Sequence, residues 1–190
     1  MGEKQVFIVL TNTGTFFSQI IKLYTGHELT HASIAFDAEL KEVYSFGRTQ
    51  RHNPLSGGFI KEEVIGDLIR SEQRPTSCAV YSYTVSDLMY QRIRKRVREI
   101  EINRDLYRYN FAGILGFVLN IKIERRNAYF CSQFVASLFE ENGEQLINKE
   151  AVWVMPDDFQ HCHKLTLMYK GDLREAMLSQ EECIDTAASL

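Results

Sequence analysis

The chain has 190 residues, of which 45% are hydrophobic and 25% charged, and its formal net charge at pH 7 is −3. This length is enough to bury a sizeable core but short for two ordinary domains, which predicts one soluble domain over residues 1–178 and a polar tail at 179–190. The near balance of 22 basic and 25 acidic residues excludes a chain-wide field that would recruit nucleic acid or an acidic membrane surface.

Two segments of the domain bear on where the protein resides in the cell. The sequence MGEKQVFIVLTNTG has too short an apolar run and too little basic charge for a secretory signal. The longest apolar stretch, residues 111–119, falls well short of the roughly 20 residues that span a bilayer. We therefore expect a cytoplasmic protein without stable membrane insertion. Four cysteines without paired spacing then indicate reduced thiols: Cys78, Cys131, Cys162 and Cys183.

Hydrophobic periodicity predicts an α+β domain, in which helices alternate with antiparallel strands. The first predicted elements are a strand at residues 6–10, a polar turn at 11–14 and a helix at about 15–24. Residues 30–37 alternate cleanly and predict a half-buried strand that presents His31 between small neighbours. A tight turn at 37–40 and a returning strand at 41–47 complete a hairpin.

The register of this hairpin decides which polar side chain lies beside His31. If Asp37 pairs with Leu40, Glu42 and Tyr44 share the face of His31. A register that is one residue longer places Ser45 there instead. The sequence leaves both registers open, so all three side chains are candidates for a group that orients the imidazole.

The middle of the chain reads as one irregular region and two regular elements. Residues 48–75 hold two of the three prolines and a pair of glycines, which predicts a loop over the site. Residues 78–83 alternate as a strand. A helix follows from 85 to about 102, capped by Thr84, and its many arginines are interpreted as a solvated face. A short helix lies in the apolar stretch at 111–119, and a last strand is predicted at 165–169.

Cys131 lies in the first turn of an amphipathic helix, which Asn142 and Gly143 end. The unpaired N–H groups and positive dipole end at this position favour thiolate over thiol, and the same N–H groups can hold a developing oxyanion. An imidazole that shares the proton would complete the nucleophile. Taken alone, Cys131 is better interpreted as a small buried apolar residue, and His31 as a hydrogen-bonded core histidine.

Three sequence segments resemble the circularly permuted branch of the NlpC-like papain-fold superfamily, in particular its YiiX-like members. These segments are HASIAF followed by EVYSF, then YFCSQFVASLF, and more weakly MPDDF. The histidine strand precedes the cysteine helix by 100 residues here, which is the order of the permuted branch. The resemblance implies a permuted papain-like antiparallel sheet packed against helices, with Cys131 and His31 as catalytic residues and a third polar residue on the EVYSF strand.

The resulting functional prediction is a cysteine-dependent hydrolase of amide, ester or thioester bonds, which forms an acyl-enzyme on Cys131 with His31 as the base. Its substrate would be a small peptide-like or lipid-like acyl compound. Two alternatives stay open: a lipid-directed acyltransferase or phospholipase-type enzyme, and a catalytically silent binding module on the same fold. No cofactor is expected, and no metal site either, because the His161–His163 cluster lacks a second ligand pair at metal spacing.

Overall fold

The fold is α+β, as the sequence predicts, and it is built on one sheet of six antiparallel strands. The computed structural model describes residues 2–12, 22, 26–49, 56–69 and 75–177. The strands are β1 (Glu3–Thr11), β2 (His31–Ala35), β3 (Val43–Arg48), β4 (Gly57–Glu62), β5 (Ser77–Ser86) and β8 (Thr166–Asp172). Their order across the sheet is β4-β3-β2-β1-β5-β8.

Several helices and one short strand pair accompany the sheet within the described ranges. The helices are α1 (Asp87–Ile102), α2 (Phe111–Val118), α3 (Cys131–Glu140) and α4 (Pro156–Gln160), and residues 173–177 are also helical. The two-residue strands β6 (Arg108–Tyr109) and β7 (Ala128–Tyr129) pair in parallel. Among the residues described, no helix combines the length and apolar character needed to cross a membrane.

Each face of the sheet buries its own apolar cluster. On one face, side chains such as Ile8, Ile34 and Phe46 pack with α1 and α3. On the other face, Val9 and Val43 lie in a smaller cluster that the segment 64–69 and the helical residues 173–177 cover. The prediction that β2 is half-buried was wrong: residues 32–35 are buried on both faces of the sheet, because the segment 64–69 and the helical residues 173–177 cover the second face.

The hairpin between β2 and β3 adopts the longer of the two registers. Ile34 pairs with Tyr44 and Ala35 with Val43. The Asp37 carboxylate fixes the turn by accepting from the N–H groups of Lys41 and Glu42, at 2.8 Å and 2.7 Å. Continued along both strands, this register brings Ser45 to the face of His31 and turns Tyr44 to the opposite face.

The prediction that residues 48–75 form only an irregular loop was wrong. Residues 57–62 form β4, the edge strand that pairs with β3 along its whole length. The glycine pair that suggested a loop lies inside this strand, because β6 and its flanking residues pass too close for side chains. A Cβ atom on Gly57 would lie 2.6 Å from the Tyr109 Cβ, and one on Gly58 would lie 3.1 Å from the Tyr107 carbonyl oxygen.

Two other predicted boundaries shift. Helix α1 begins at Asp87 because β5 continues to Ser86, whose Oγ accepts from the Met89 N–H at 3.2 Å. Ser86, and not Thr84, is therefore the N-cap. The last strand starts at Thr166 and runs to Asp172. The predicted helix at 15–24 and the polar tail at 179–190 fall outside the described residues, apart from position 22.

Candidate functional site

Helix α3 places Cys131 at its first residue, against the sheet. The Gln133 side chain accepts from the Phe130 N–H at 3.3 Å, which satisfies one backbone donor ahead of the helix. The Ser132 hydroxyl donates to the Val154 carbonyl oxygen at 2.7 Å and holds the first turn to the following segment. Residues 131–139 are all buried, so the helix start is fixed by packing as well as by hydrogen bonds.

Cys131 reaches His31 where the ladder between β2 and β3 has ended. The paired residues of these strands stop at Ile34 and Tyr44, three residues short of His31. The thiol hydrogen-bonds the His31 side chain, and the N–H groups of Ala32 and Ser132 donate to its sulfur. Backbone donors from a strand and from a helix N-terminus therefore converge on one sulfur atom, an arrangement that stabilises negative charge there.

Glu62 is the acidic partner of His31. Its Oε1 lies 2.7 Å from the Nε2 atom of His31, and this leaves the Nδ1 atom of the ring for Cys131. Two hydroxyls donate to the same carboxylate, Ser45 to Oε1 at 2.6 Å and Ser33 to Oε2 at 2.8 Å. The Glu62 side chain is only 4% exposed, so this carboxylate is a buried acceptor with a nearly complete set of donors.

The charges of the three groups support one another. Burial alone would lower the pKa of His31, but the Glu62 carboxylate and the Cys131 sulfur raise it to about 10. Burial would raise the pKa of Glu62, yet its pKa is lowered by His31 and by the two serine hydroxyls. Burial likewise opposes ionisation of Cys131, and the hydrogen bond and charge of His31 lower its pKa nonetheless. The site therefore favours a thiolate beside an imidazolium at neutral pH.

The Tyr109 hydroxyl is a further hydrogen-bonding partner of the Cys131 sulfur. Burial raises the pKa of Tyr109 well above its usual value, and the charge of Cys131 and a hydrogen bond to its side chain raise it further. The backbone of Cys131 acts in the opposite direction and lowers the pKa of Tyr109 by hydrogen bonding. Tyr109 is 9% exposed and its Cβ lies over Gly57, so β4 helps to place it.

The three sequence candidates for the orienting residue lie in different places. Ser45 is at the site, but its hydroxyl binds Glu62. Tyr44 lies on the opposite face, between the rings of Phe36 and Phe59 at centroid distances of 5.9 Å. Glu42 lies near the turn and pairs with Arg94 at 2.7 Å. His31 and Cys131 are brought together, whereas Tyr44 and Glu42 contact other partners.

Sequence reasoning missed Glu62 and Tyr109. Glu62 follows a lysine and precedes a second glutamate, which is the composition of a solvated segment, and the glycine pair had removed this region from the set of strands. The signal in favour of a strand is the alternation that sets Phe59 and Lys61 on one face and Ile60 and Glu62 on the other. Tyr109 stands in an aromatic stretch whose pairing with β7 is not legible in the sequence.

A cleft with a volume of about 790 Å³ lies along the edge strand, between β4 and residues 101–108, and Cys131, His31 and Glu62 are not among its lining residues. Its lining is largely polar and charged, and Tyr107 is one of its few aromatic residues. Across the ranges that the structure describes, no three His, Cys, Asp or Glu side chains converge as a candidate metal site.

Comparison of the chain with protein-family models, with curated proteins and with solved structures finds no match. The chemistry of the site therefore rests on the arrangement of its own residues.

Proposed function

We propose that this protein is a cysteine-dependent hydrolase of amide, ester or thioester bonds, on a permuted papain-like domain. The observation that carries the proposal is the chain of contacts from the Cys131 thiol through the His31 ring to the buried Glu62 carboxylate. A nucleophile, a base and a group that orients the base, each within hydrogen-bonding range of the next, are the parts that thiol acyl transfer requires.

The reaction begins with the ion pair. The Cys131 thiolate attacks the substrate carbonyl carbon, and the carbonyl oxygen takes up the electron pair of its π bond. The Tyr109 hydroxyl and the Ser132 N–H, both of which contact the sulfur, are close enough to stabilise that oxyanion. The His31 imidazolium then gives its proton to the leaving amine, alcohol or thiol as the bond to carbon breaks, and an acyl-enzyme remains.

Hydrolysis of the acyl-enzyme reverses the proton path. Neutral His31 takes a proton from water, the resulting hydroxide attacks the thioester carbon, and the Cys131 thiolate leaves. Glu62 stays ionised throughout and stabilises the imidazolium whenever it forms. The serine hydroxyls of Ser33 and Ser45 hold the carboxylate in its orientation.

A lipid-directed acyltransferase is the second candidate, and one surface observation favours it. Large apolar side chains are more than half exposed on α2 and the turn that follows it, close in sequence to Tyr109: Leu115, Leu119 and Ile121. Such a surface suits an acyl donor held in a bilayer. Activity that depends on vesicles would favour this candidate over a hydrolase of water-soluble substrates. The catalytically silent module has no such feature in its favour.

The decisive experiment is the pH dependence of alkylation by iodoacetamide, with each cysteine peptide followed by mass spectrometry. Cys131 is expected to react through a thiolate that titrates well below the usual value of about 8.5 for a free cysteine. Cys78 is an internal control, because burial raises its pKa to about 12. The partly exposed Cys162, whose thiol donates to the Leu146 carbonyl oxygen, is a second control.

The His31→Ala variant completes this experiment. Loss of the imidazole is expected to move the titration of Cys131 upward and to leave that of Cys162 in place. Fast alkylation together with the His31 dependence justifies a screen of esters, amides and thioesters. If Cys131 is alkylated slowly, shows no thiolate at neutral pH and reacts at the same rate in His31→Ala, the hydrolase is excluded and a binding module remains.

A further inference from the structure

The cleft beside β4 carries a concentration of basic side chains that the catalytic triad does not use. Four cationic residues line it, together with three carboxylates and several hydroxyl and backbone groups. The cationic residues are Arg48, Lys61, Arg104 and Arg108, and the carboxylates are Asp67, Glu101 and Asp105.

The arginines are not neutralised by these carboxylates. In the described part of the chain, no carboxylate oxygen lies within ion-pair distance of Arg48, Arg104 or Arg108. Arg108 donates instead to the backbone carbonyl oxygens of Asp105 and Tyr107. The Asp67 carboxylate already accepts from the Glu63 N–H at 3.0 Å.

Arg48 is the most informative of these side chains. Its Nε atom is buried and makes no hydrogen bond with any residue described. A buried guanidinium N–H without an acceptor costs free energy, and an oxyanion that accepts from it would offset that cost. Arg48 therefore provides an independent indication that a ligand belongs in this cleft.

The sheet register places Arg48 on the same face of the sheet as Tyr109. Arg48 pairs with Gly57, and paired residues of an antiparallel ladder project to the same face. The Tyr109 side chain packs on that face of Gly57, so Arg48 and Tyr109 are neighbours there. The Tyr109 side chain, whose hydroxyl contacts Cys131, therefore lies between the sulfur and two residues of the cleft wall, Arg48 and Gly57.

We propose that this cleft binds an anionic group, a carboxylate or a phosphate, of the acyl compound whose scissile carbonyl lies at Cys131, with Arg48 as the innermost contact. This proposal rests on the proposed function and names its substrate class: acyl compounds that carry a negative charge a few bonds from the reacting carbonyl. The planar guanidinium group of arginine donates two parallel hydrogen bonds to a carboxylate and to a phosphate alike. The proposal therefore covers both groups, and the titration below distinguishes them.

A pair of esters of equal length tests the proposal. The 4-nitrophenyl hydrogen glutarate ester carries a free carboxylate, and its methyl ester is neutral. We expect the parent protein to prefer the anionic ester by about tenfold or more in kcat/KM. The Arg48→Gln variant is expected to lose most of that preference, and Arg48→Lys to keep part of it, because charge without the fork still attracts the anion.

Arg92→Gln is the matched control, since it removes the same charge from an exposed position on α1 away from the cleft. It should keep the preference of the parent. Thermal unfolding of each variant verifies that it is folded. Equal hydrolysis of the two esters by the parent, or a preference that Arg48→Gln leaves intact in a folded protein, would overturn the proposal.

A direct titration separates this proposal from the proposed function. Glutarate and glycerol phosphate are titrated calorimetrically into the parent and into Arg48→Gln. Binding to the parent that weakens about tenfold in Arg48→Gln supports the anion site. If neither ester is hydrolysed but this binding is found, the hydrolase proposal fails and the anion site stands. The tighter ligand identifies carboxylate or phosphate as the natural group. Equal affinities in the two proteins, or no binding of either anion, would overturn the anion site.

Discussion

The Nε2 atom of His31 lies 2.7 Å from the Oε1 atom of Glu62, although 31 residues separate them in the chain. The contact crosses β3, which lies between their two strands in the sheet. It is possible because the intervening side chains on that face are small, Ser45 and Gly47. A Cβ atom on Gly47 would lie 3.8 Å from the His31 ring. Small residues on the middle strand therefore give a histidine and a carboxylate on its two neighbours room to meet.

Replacement of Glu62 by glutamine is expected to lower kcat/KM by about a hundredfold or more, since it keeps the shape of the side chain and removes its charge. Without the carboxylate, the pKa of His31 falls and the imidazolium no longer stabilises the thiolate at neutral pH. The rate of Cys131 alkylation, measured between pH 5 and 9, should show a thiolate that forms only at higher pH.

The neighbouring Glu63 provides the control for that variant. It is exposed and lies next to Glu62 in sequence, so Glu63→Gln changes the net charge equally and should leave the profile of the parent. If Cys131 of Glu62→Gln is alkylated at the rate of the parent at every pH, Glu62 neither orients His31 nor raises its pKa.

The sequence predicts those parts of the site that depend on local pattern. Cys131 at a helix start and His31 on a strand each follow from a short periodic segment. The third group does not, because it depends on which strand lies next to β3. A glycine pair is read as a turn unless the close approach of Tyr109 and Tyr107 is known, and that approach belongs to the tertiary structure. Lys61 and Glu62 likewise read as solvated until β4 is placed.

The same limit explains the hairpin. Both registers are compatible with the alternating apolar side chains of β2. The choice between them depends on the turn, in which the Asp37 carboxylate accepts from two backbone N–H groups. That side-chain contact is visible only in three dimensions. The composition of the turn fixed its place in the chain but left its length open by one residue, and this residue decides between Ser45 and Tyr44.

Stability should respond to pH differently in the parent and in Cys131→Ala. The pKa of His31 is raised from 6.5 on folding, so its contribution is complete below about pH 6.5 and is lost as the pH rises. The pKa of Cys131 is lowered from 9.0, so its contribution grows over the same window. Between pH 6.5 and 9.0, His31 and Cys131 together bind one proton in the folded protein and one in the unfolded protein. The pH dependences of their two contributions to stability therefore cancel.

Removal of the thiol therefore exposes the histidine contribution. Relative to the parent, Cys131→Ala should lose free energy of unfolding as the pH rises from 6.5 to 8.5, by up to about 1.4 kcal/mol per pH unit. Urea titrations at three pH values measure this difference, with Cys162→Ala as the control thiol. Parallel pH dependences of the parent and Cys131→Ala would show that the two groups do not exchange a proton.

Replacement of Tyr109 by phenylalanine is expected to reduce kcat by about tenfold to a thousandfold, with little change in the rate at which iodoacetamide alkylates Cys131. The hydroxyl stabilises an oxyanion that forms with a carbonyl substrate but not with an alkyl halide. Presteady-state acylation by a 4-nitrophenyl ester, beside the alkylation rate, separates the two effects. A parallel fall of both rates would instead assign Tyr109 to the ionisation of the thiol.

Gly57→Ala tests whether the edge strand positions Tyr109. The new Cβ would lie 2.6 Å from the Tyr109 Cβ and 3.0 Å from the Gly47 carbonyl oxygen, so the tyrosine must move away from β4. Overpacking of this kind costs about 1–3 kcal/mol of stability. Because Tyr109 contacts Cys131, the acylation rate should fall as well, at temperatures where the variant is fully folded. Gly2→Ala, whose Cβ meets nothing within 4 Å, is the control. Destabilisation without any loss of acylation rate would mean that the Tyr109 hydroxyl keeps its place independently of β4.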